Sequence, residues 1–461
     1  VSPPEPLLLA DGAPPQALAV ALEEAWSAGR AVGLAHPADR EVLAAAIGSG
    51  AALAPWGAAV VLGSGGSSGG RRWCVQPLAH LQASADATAT WLRLQGLDPA
   101  ACLHLDPLPL HHVSGLLPLV RCRRWGAELV FLPPEWLRDP FLLEAACPLP
   151  AERPVLLSLV PTQLGRLMAS PQGLAWLRGC QVIWVGGAAL PASLALQARR
   201  QGLRLAPCYG ATETAAMVAA LPPERFLAGE AGCGFALADG ELRLAPAAPA
   251  ALEHSQDLAG GAAAQGRHLD PAAPVAPERR LDPPPAALEL SLEPEGSAAL
   301  EVRTARLSPG WLEAGRLCPL PRDGEGWWRS GDAARLEEGR LTVLGRLDGA
   351  VQSGGETIFP ELLEGRLLAA AAAAALPLEA VLLLGLPDAE WGARLVALVR
   401  PGPEADGAAL IPALEQITAR WWPAERPRHW QLCPSLVTTA AGKWERARWR
   451  RWLLEAIRAG R

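Results

Sequence analysis

Short apolar runs recur along the first half of the chain with helical patterns between them, and this alternation limits the fold more than any other feature. "AAVVLG", "AELVFLP", "PVLLSLVP" and "CQVIWVGG" read as buried strands. Strands of this kind belong to sheets covered on both faces by helices. "ALAVALEEAWSAG", "AHLQASADATATWLRLQG" and "LPASLALQARRQG" carry the helical patterns, and "RAVGLAH" follows the first of them as a further strand. From residue 15 to about 245 the alternation predicts an α/β layered sheet.

Composition then shifts. Residues 245–287 are rich in Pro, Gly and Ala and show no hydrophobic period, so they read as a disordered loop or insertion. Strand patterns return at "ALELSLE", "AALEVRT" and "GRLTVLGRL". After Asp348 comes a small α+β unit: helix "ELLEGRLLAAAAAAA", strands "AVLLLGL" and "ARLVALVRP", helix "GAALIPALEQITARWW". The expected organisation is a large domain over 1–345, a hinge at 346–349 and a small mobile domain over 350–461.

Composition narrows the function. A net charge of −6 argues against a general nucleic-acid binder. The nine cysteines form no CxxC pair and no zinc spacing, which fits reduced thiols and a cytoplasmic location. The opening "VSPPEPLLLADGAPP" lacks a basic start and does not read as a signal peptide. Pro377 and Glu379 break the most apolar stretch, so no membrane span is expected. The chain has 41 basic residues, and Lys443 is the single lysine among them. It has no Asn and one Tyr, a bias that reflects G/C-rich codons rather than function.

Three stretches carry chemistry. "VVLGSGGSSGGRR" sends a buried strand into a Gly/Ser loop ending in two arginines. Such a loop lets backbone N–H groups and hydroxyls converge on an anion; it also serves as a plain flexible linker. It is not the GxxxxGK[ST] phosphate loop. "APCYGATETAAMV" places Tyr209, Gly210, Thr212 and Glu213 together. An aromatic ring can stack on a base, and a carboxylate can hold Mg2+ beside phosphate oxygens; read alone the stretch is a polar turn. "SGDAARLEEGRLTVLGRLDGAVQSGGE" brings Asp332 and Arg346 toward one point through a hairpin at "EEGR". An acid and an arginine there can hold ribose hydroxyls, or form a structural ion pair, and the Gly-Arg-x-Asp turn can act as a hinge.

Together with the terminal "AAGKWERARWR", these stretches resemble, in order and placement, the adenylate-forming acyl-CoA synthetases. The likeness runs from about Val60 to Arg450, the insertion excepted. "PLPLHHVSGL", "SLVPTQLGRLM", "WVGGAALP", "DGEGWW" and "SGGETIFPELLE" look more narrowly like the o-succinylbenzoate–CoA ligases of menaquinone and phylloquinone biosynthesis. The resemblance implies ATP, Mg2+ and coenzyme A as cofactor and co-substrates and a small-molecule carboxylic acid as substrate. It implies that Ser64, Gly66, Ser67, Ser68, Gly69 and Arg72 grip the β- and γ-phosphates. Gly186, Gly187, Ala188, Tyr209 and Gly210 would flank adenine, Thr212 would contact phosphate, and Glu213 would hold Mg2+. Asp332 and Arg346 would bind ribose, with Asp348 the hinge. His112 would lie between the ATP and acyl pockets, with a structural histidine as the plain alternative, and Thr162 and Gly187 would line the acyl pocket. Lys443 takes the place of the family's catalytic lysine.

The chain departs from the family at several points. About 60 residues precede the Gly/Ser loop where the family has more. Arg71 and Arg72 stand where Pro and Lys are usual, and Thr357 replaces an Asn. The alternatives left open are another acyl or aryl acid, a carrier protein in place of CoA, and an inactive nucleotide-binding relative. Oligomeric state is not expressed in the sequence.

Overall fold

The computed structural model describes residues 6–10, 12–64, 72–245, 298–354, 356–403, 405–439 and 444–458. The insertion at 245–287, apart from Ala245, and the "ALELSLE" run lie outside the described residues, as do Gly66, Ser67, Ser68, Gly69, Arg71 and Lys443.

The predicted alternation becomes a seven-stranded sheet. Its order is Phe235–Ala236, Ala216–Ala220, Leu205–Ala211, Val182–Val185, Val155–Leu159, Leu103–Asp106 and Glu128–Phe131. The five strands from Leu205–Ala211 to Glu128–Phe131 are parallel. Helices cover both faces. Leu164, Leu167, Trp176, Leu177 and Ala198 pack on one, and Leu81, Ala85, Trp91, Leu116 and Leu117 on the other. This two-sided burial is why the strand runs are apolar throughout.

Local chemistry sets the turns between these elements. The helix Pro161–Met168 opens with Pro at its first position, where the missing N–H costs nothing. Gln163 Oε1 then accepts a hydrogen bond from Val160 N at 3.1 Å. The "SLVPTQL" motif is therefore a strand end, a proline start and a capping glutamine. Ser170 Oγ caps the next helix, Pro171–Arg178, by accepting from Gly173 N at 2.9 Å.

A second sheet of six strands has the order Leu7–Ala10, Ala31–Ala35, Ala59–Ser64, Arg72–Pro77, Gly310–Glu313 and Arg316–Pro319. A third, fully antiparallel, holds Gly240–Ala245, Ala298–Thr304, Trp328–Glu337 and Arg340–Arg346. Beyond the 3-10 turn Leu347–Gly349, residues build cores of their own around Leu383, Leu395 and Trp430 on one face and Leu382, Trp449 and Leu453 on the other. Phe359 packs on Ala333 and Leu344, and the helix Pro360–Ala373 touches the helix Ala192–Arg200.

Inside this last unit Arg446 is clasped by Glu364, at 2.9 and 3.0 Å, and by Glu361 at 3.1 Å. Glu364 also accepts from Leu383 N at 2.8 Å. Burial pushes Glu364 up to about 7, against the pull of Arg446. The folded chain thus keeps this proton at pH values where an unfolded Glu, near about 4.3, has lost it. Stability from the group is full below the unfolded value and declines as pH rises toward 7. Denaturant midpoints taken at about pH 5 and about pH 7.5 are expected to fall less in Glu364→Gln than in the parent chain. Equal falls would locate the titration elsewhere.

Candidate active site

In a parallel sheet ligands gather beyond the carboxyl ends of the strands. Here those ends carry the residues singled out by sequence. Val155–Leu159 leads to Thr162, Val182–Val185 to Gly186, Gly187 and Ala188, and Leu103–Asp106 to His112. Leu205–Ala211 contains Tyr209 and Gly210 and runs into the 3-10 turn Thr212–Thr214.

Gly210 is fixed by a close approach. A Cβ there would lie 2.1 Å from the carbonyl oxygen of Ala216 on the antiparallel neighbour. Beyond it, Ala215 and Ala216 adopt left-handed backbone, with φ of 52° and 71°, which turns the chain back after Glu213. For alanine this conformation costs free energy and persists only where surroundings impose it. The surroundings are Arg306, a side chain fully buried. It donates to Thr214 O at 2.6 Å and Met217 O at 2.8 Å, and pairs with Asp239 at 2.6 Å. Ser84 Oγ adds a bond to Ala215 O at 2.6 Å, and Gln76 Nε2 donates to Thr212 O at 2.6 Å.

Tyr209, Asp332 and Arg346 come together. The Tyr209 hydroxyl donates to Asp332 Oδ2 at 2.5 Å, across 123 residues of sequence. Asp332 and Arg346 are register partners on adjacent strands. Arg346 Nη1 reaches Asp332 Oδ1 at 3.4 Å and Ser330 O at 3.1 Å, while its Nε donates to Asp348 at 3.1 Å. Burial raises Asp332, and the Tyr209 hydroxyl and Arg346 pull it back. Burial and the Asp332 charge drive Tyr209 well above its usual value. Burial pulls Arg346 down, but Asp348 and Asp332 outweigh it and raise its pKa.

Glu213 forms the second cluster. Its carboxylate is buried and its Oε1 accepts from Trp311 Nε1 at 3.0 Å. The Arg72 guanidinium lies 4.8 Å from the centre of the Trp311 ring. Arg72 also pairs in register with Ser64, so these two frame the Gly/Ser loop between them. His112 is half-buried at the start of the helix Val113–Trp125, its ring 4.3 Å from that of His111. Thr162 is exposed in the first turn of the helix Pro161–Met168.

The structure adds residues that the sequence reading passed over. Trp311, Gln76 and Arg306 hold the site residues and stand in no motif, and Ser330 heads the Asp332 stretch without a role read from it. Glu361 is another: a Cβ on Gly345 would fall 2.8 Å from its Oε2, so its carboxylate rests against the turn at 346–349 while also meeting Arg446.

Comparison with known proteins gives the family. The AMP-binding enzyme family matches residues 17–248, half of the chain, and the chain belongs to that family. It is 30% identical over 352 residues to the 2-succinylbenzoate–CoA ligase of Salmonella typhimurium, covering 76% of this chain and 59% of the ligase. It is 27% identical to the indoleacetate–CoA ligase of Aromatoleum aromaticum, covering 74% of this chain and 57% of that enzyme. The chain thus spans less than two thirds of the length of these curated relatives. Its fold is similar to that of the o-succinylbenzoate CoA synthetase of Bacillus subtilis in complex with the acyl-adenylate intermediate OSB-AMP. The TM-score is 0.61 at 20% identity, covering 85% of this chain and 68% of that one. Among the described residues no helix is long and apolar enough to cross a membrane.

Proposed function

We propose that the chain is an ATP-dependent, AMP-forming acid–CoA ligase, with o-succinylbenzoate as its acid. The observation that carries this reading is the hydrogen-bonded group of Tyr209, Asp332 and Arg346 at the sheet edge that also presents Thr212 and Glu213. The acid is argued from the "SLVPTQL" and "SGGE" stretches and from what the Salmonella relative is named for.

In the first step a carboxylate oxygen of the acid attacks the α-phosphorus of ATP. The bond to the bridging oxygen breaks and pyrophosphate leaves with its electrons. In the second, the CoA sulfur attacks the acyl carbon, AMP departs, and the thiol proton passes to solvent. Tyr209 and Gly186–Ala188 flank adenine, with Gly210 next to Tyr209. Asp332 accepts from the ribose hydroxyls and Arg346 holds Asp332. Ser64 and Arg72, with Gly66, Ser67, Ser68 and Gly69 of the loop, take the β- and γ-phosphates. Thr162 and Gly187 border the acid, and His112 stands between acid and nucleotide. Residues 346–349, with Asp348, form the hinge between a large unit over 1–345 and a small one over 350–461. Lys443 contacts the α-phosphate and the acid carboxylate in the first step.

Glu213 suits Mg2+, and Thr212 contacts phosphate beside it. The carboxylate offers hard oxygen donors, and a cation that binds through one carboxylate plus phosphates needs no larger protein cage. Among the described residues there is no group of three or more His, Cys, Asp and Glu able to hold a metal. When bound, Mg2+ would neutralise charge on the phosphate oxygens. Glu213→Gln removes the charge at nearly constant volume. Adenylation is expected to slow by on the order of tenfold or more, with a higher Mg2+ requirement. Unchanged Mg2+ titration would return Glu213 to a turn residue.

Thioester formation with a panel of acids tests the substrate. O-succinylbenzoate is expected to give the highest kcat/KM. A higher value for indoleacetate or another aryl acid would keep the chemistry and change the acid. Transfer to a carrier protein and not to CoA would change the acceptor.

A further inference from the structure

We propose that Trp311 is a positioning residue that orients Glu213 for the metal and keeps Arg72 apart from it; this rests on the nucleotide reading above. Three observations meet in one side chain. The indole N–H occupies Glu213 Oε1 at 3.0 Å. The Arg72 guanidinium sits over the ring of the same indole, 4.8 Å from its centre. Among the described residues the contacts of Glu213 and Arg72 run to the indole and not to each other.

The backbone makes this placement firm. The strand Gly310–Glu313 pairs with Arg72–Pro77, with Trp311 opposite Cys74. Ser308, just before that strand, donates its N–H to Glu213 O at 2.7 Å, and its hydroxyl bonds Val75 O at 2.7 Å. The turn that carries Glu213, the strand that carries Arg72 and the strand that carries Trp311 are therefore stitched to one another. The indole thus meets the carboxylate at its ring edge and the guanidinium at its ring face.

That separation has a chemical use. A direct Arg72–Glu213 pair would cancel the charge that each must offer outward. With the indole engaging each of them separately, a single N–H fixes the carboxylate rotamer through Oε1 and leaves Oε2 for a cation. The ring face holds the guanidinium by a cation–π contact, which orients it without consuming its N–H donors. The residue thus joins the two halves of a triphosphate–metal site while keeping them electrically distinct.

The test is metal and nucleotide binding, which does not depend on turnover. Mn2+ is titrated by electron paramagnetic resonance in the presence of α,β-methylene-ATP, for the parent chain, Trp311→Phe, Trp311→Leu, Glu213→Gln and the Trp311→Phe/Glu213→Gln double variant. Phe keeps a ring and loses the donor. Its metal affinity is expected to fall by about tenfold, as for one hydrogen bond to a charged group, with nucleotide affinity little changed. Leu loses donor and ring face, and both affinities are expected to fall. The double variant should be no weaker than Glu213→Gln alone, because the indole acts through that carboxylate. Parent-like metal binding in Trp311→Phe beside a weakened Glu213→Gln overturns the role of Trp311 alone. Additive losses in the double variant overturn it as well. Parent-like binding in Glu213→Gln overturns the metal reading of Glu213 and the proposal with it. Thermal melting of each variant separates a binding loss from unfolding, and an unfolded Trp311→Phe would make the residue structural and overturn the proposal.

Discussion

Replacing Lys443 by alanine is expected to slow adenylation by on the order of a hundredfold or more while leaving thioester formation from supplied acyl-adenylate near normal. The argument starts from composition. A chain that uses arginine for its other 40 basic residues keeps one lysine, in "AAGKWERARWR". A compact ammonium with three rotatable donors can approach a phosphate oxygen and a carboxylate together; a planar guanidinium cannot take the same convergent geometry. Lys443→Arg is therefore expected not to restore the rate. Both half-reactions are measured separately, by pyrophosphate exchange and by thioester formation from synthetic adenylate. Chemistry gives a parallel check, since an amine-selective reagent can modify only Lys443 and the N-terminal amine. ATP with acid should protect the lysine. Equal losses in both half-reactions, or full activity in Lys443→Arg, would remove this role.

Arg306→Met is expected to be the most destabilising of the substitutions considered, by about 3–5 kcal/mol, the range for breaking a buried ion pair from one side. The side chain is wholly enclosed and serves Asp239, Thr214 O, Met217 O and the hydroxyl of Ser84 at once. Met fills most of the volume and satisfies none of these partners, so the loss is polar rather than steric. The carbonyls left without a donor belong to the left-handed turn after Glu213, so the damage is expected to reach the site as well as the fold. Guanidinium denaturation followed by tryptophan fluorescence checks the magnitude. A midpoint within experimental scatter of the parent would mean that water replaces the guanidinium, and that the turn holds itself.

The elements that sequence made legible are those whose pattern is local. The strands Val155–Leu159 and Val182–Val185 are buried on both faces, and their apolar runs record that directly. The Asp332–Arg346 pairing follows from a hairpin closed at "EEGR", so two residues 14 apart meet in a predictable register. Tyr209 and Glu213 stood out by residue type within one short motif. What sequence did not express is long-range register. Trp311 meets Glu213 only because Gly310–Glu313 pairs with Arg72–Pro77, more than 200 residues earlier. Arg306 looked like any of forty arginines until burial singled it out. Glu361 read as part of a helix start, and its contact with the turn at 346–349 depends on how two units pack. Pairwise geometry of this kind leaves no periodicity to read.

An enzyme of the proposed kind joins an acid to AMP. The direct measurement is to incubate the chain with ATP, Mg2+ and o-succinylbenzoate without CoA, and to detect pyrophosphate and acyl-adenylate by mass spectrometry. The account predicts acid-dependent formation of both in equal amounts, with thioester appearing only when CoA is added. Folded protein that binds ATP yet releases no pyrophosphate with any carboxylic acid would contradict it.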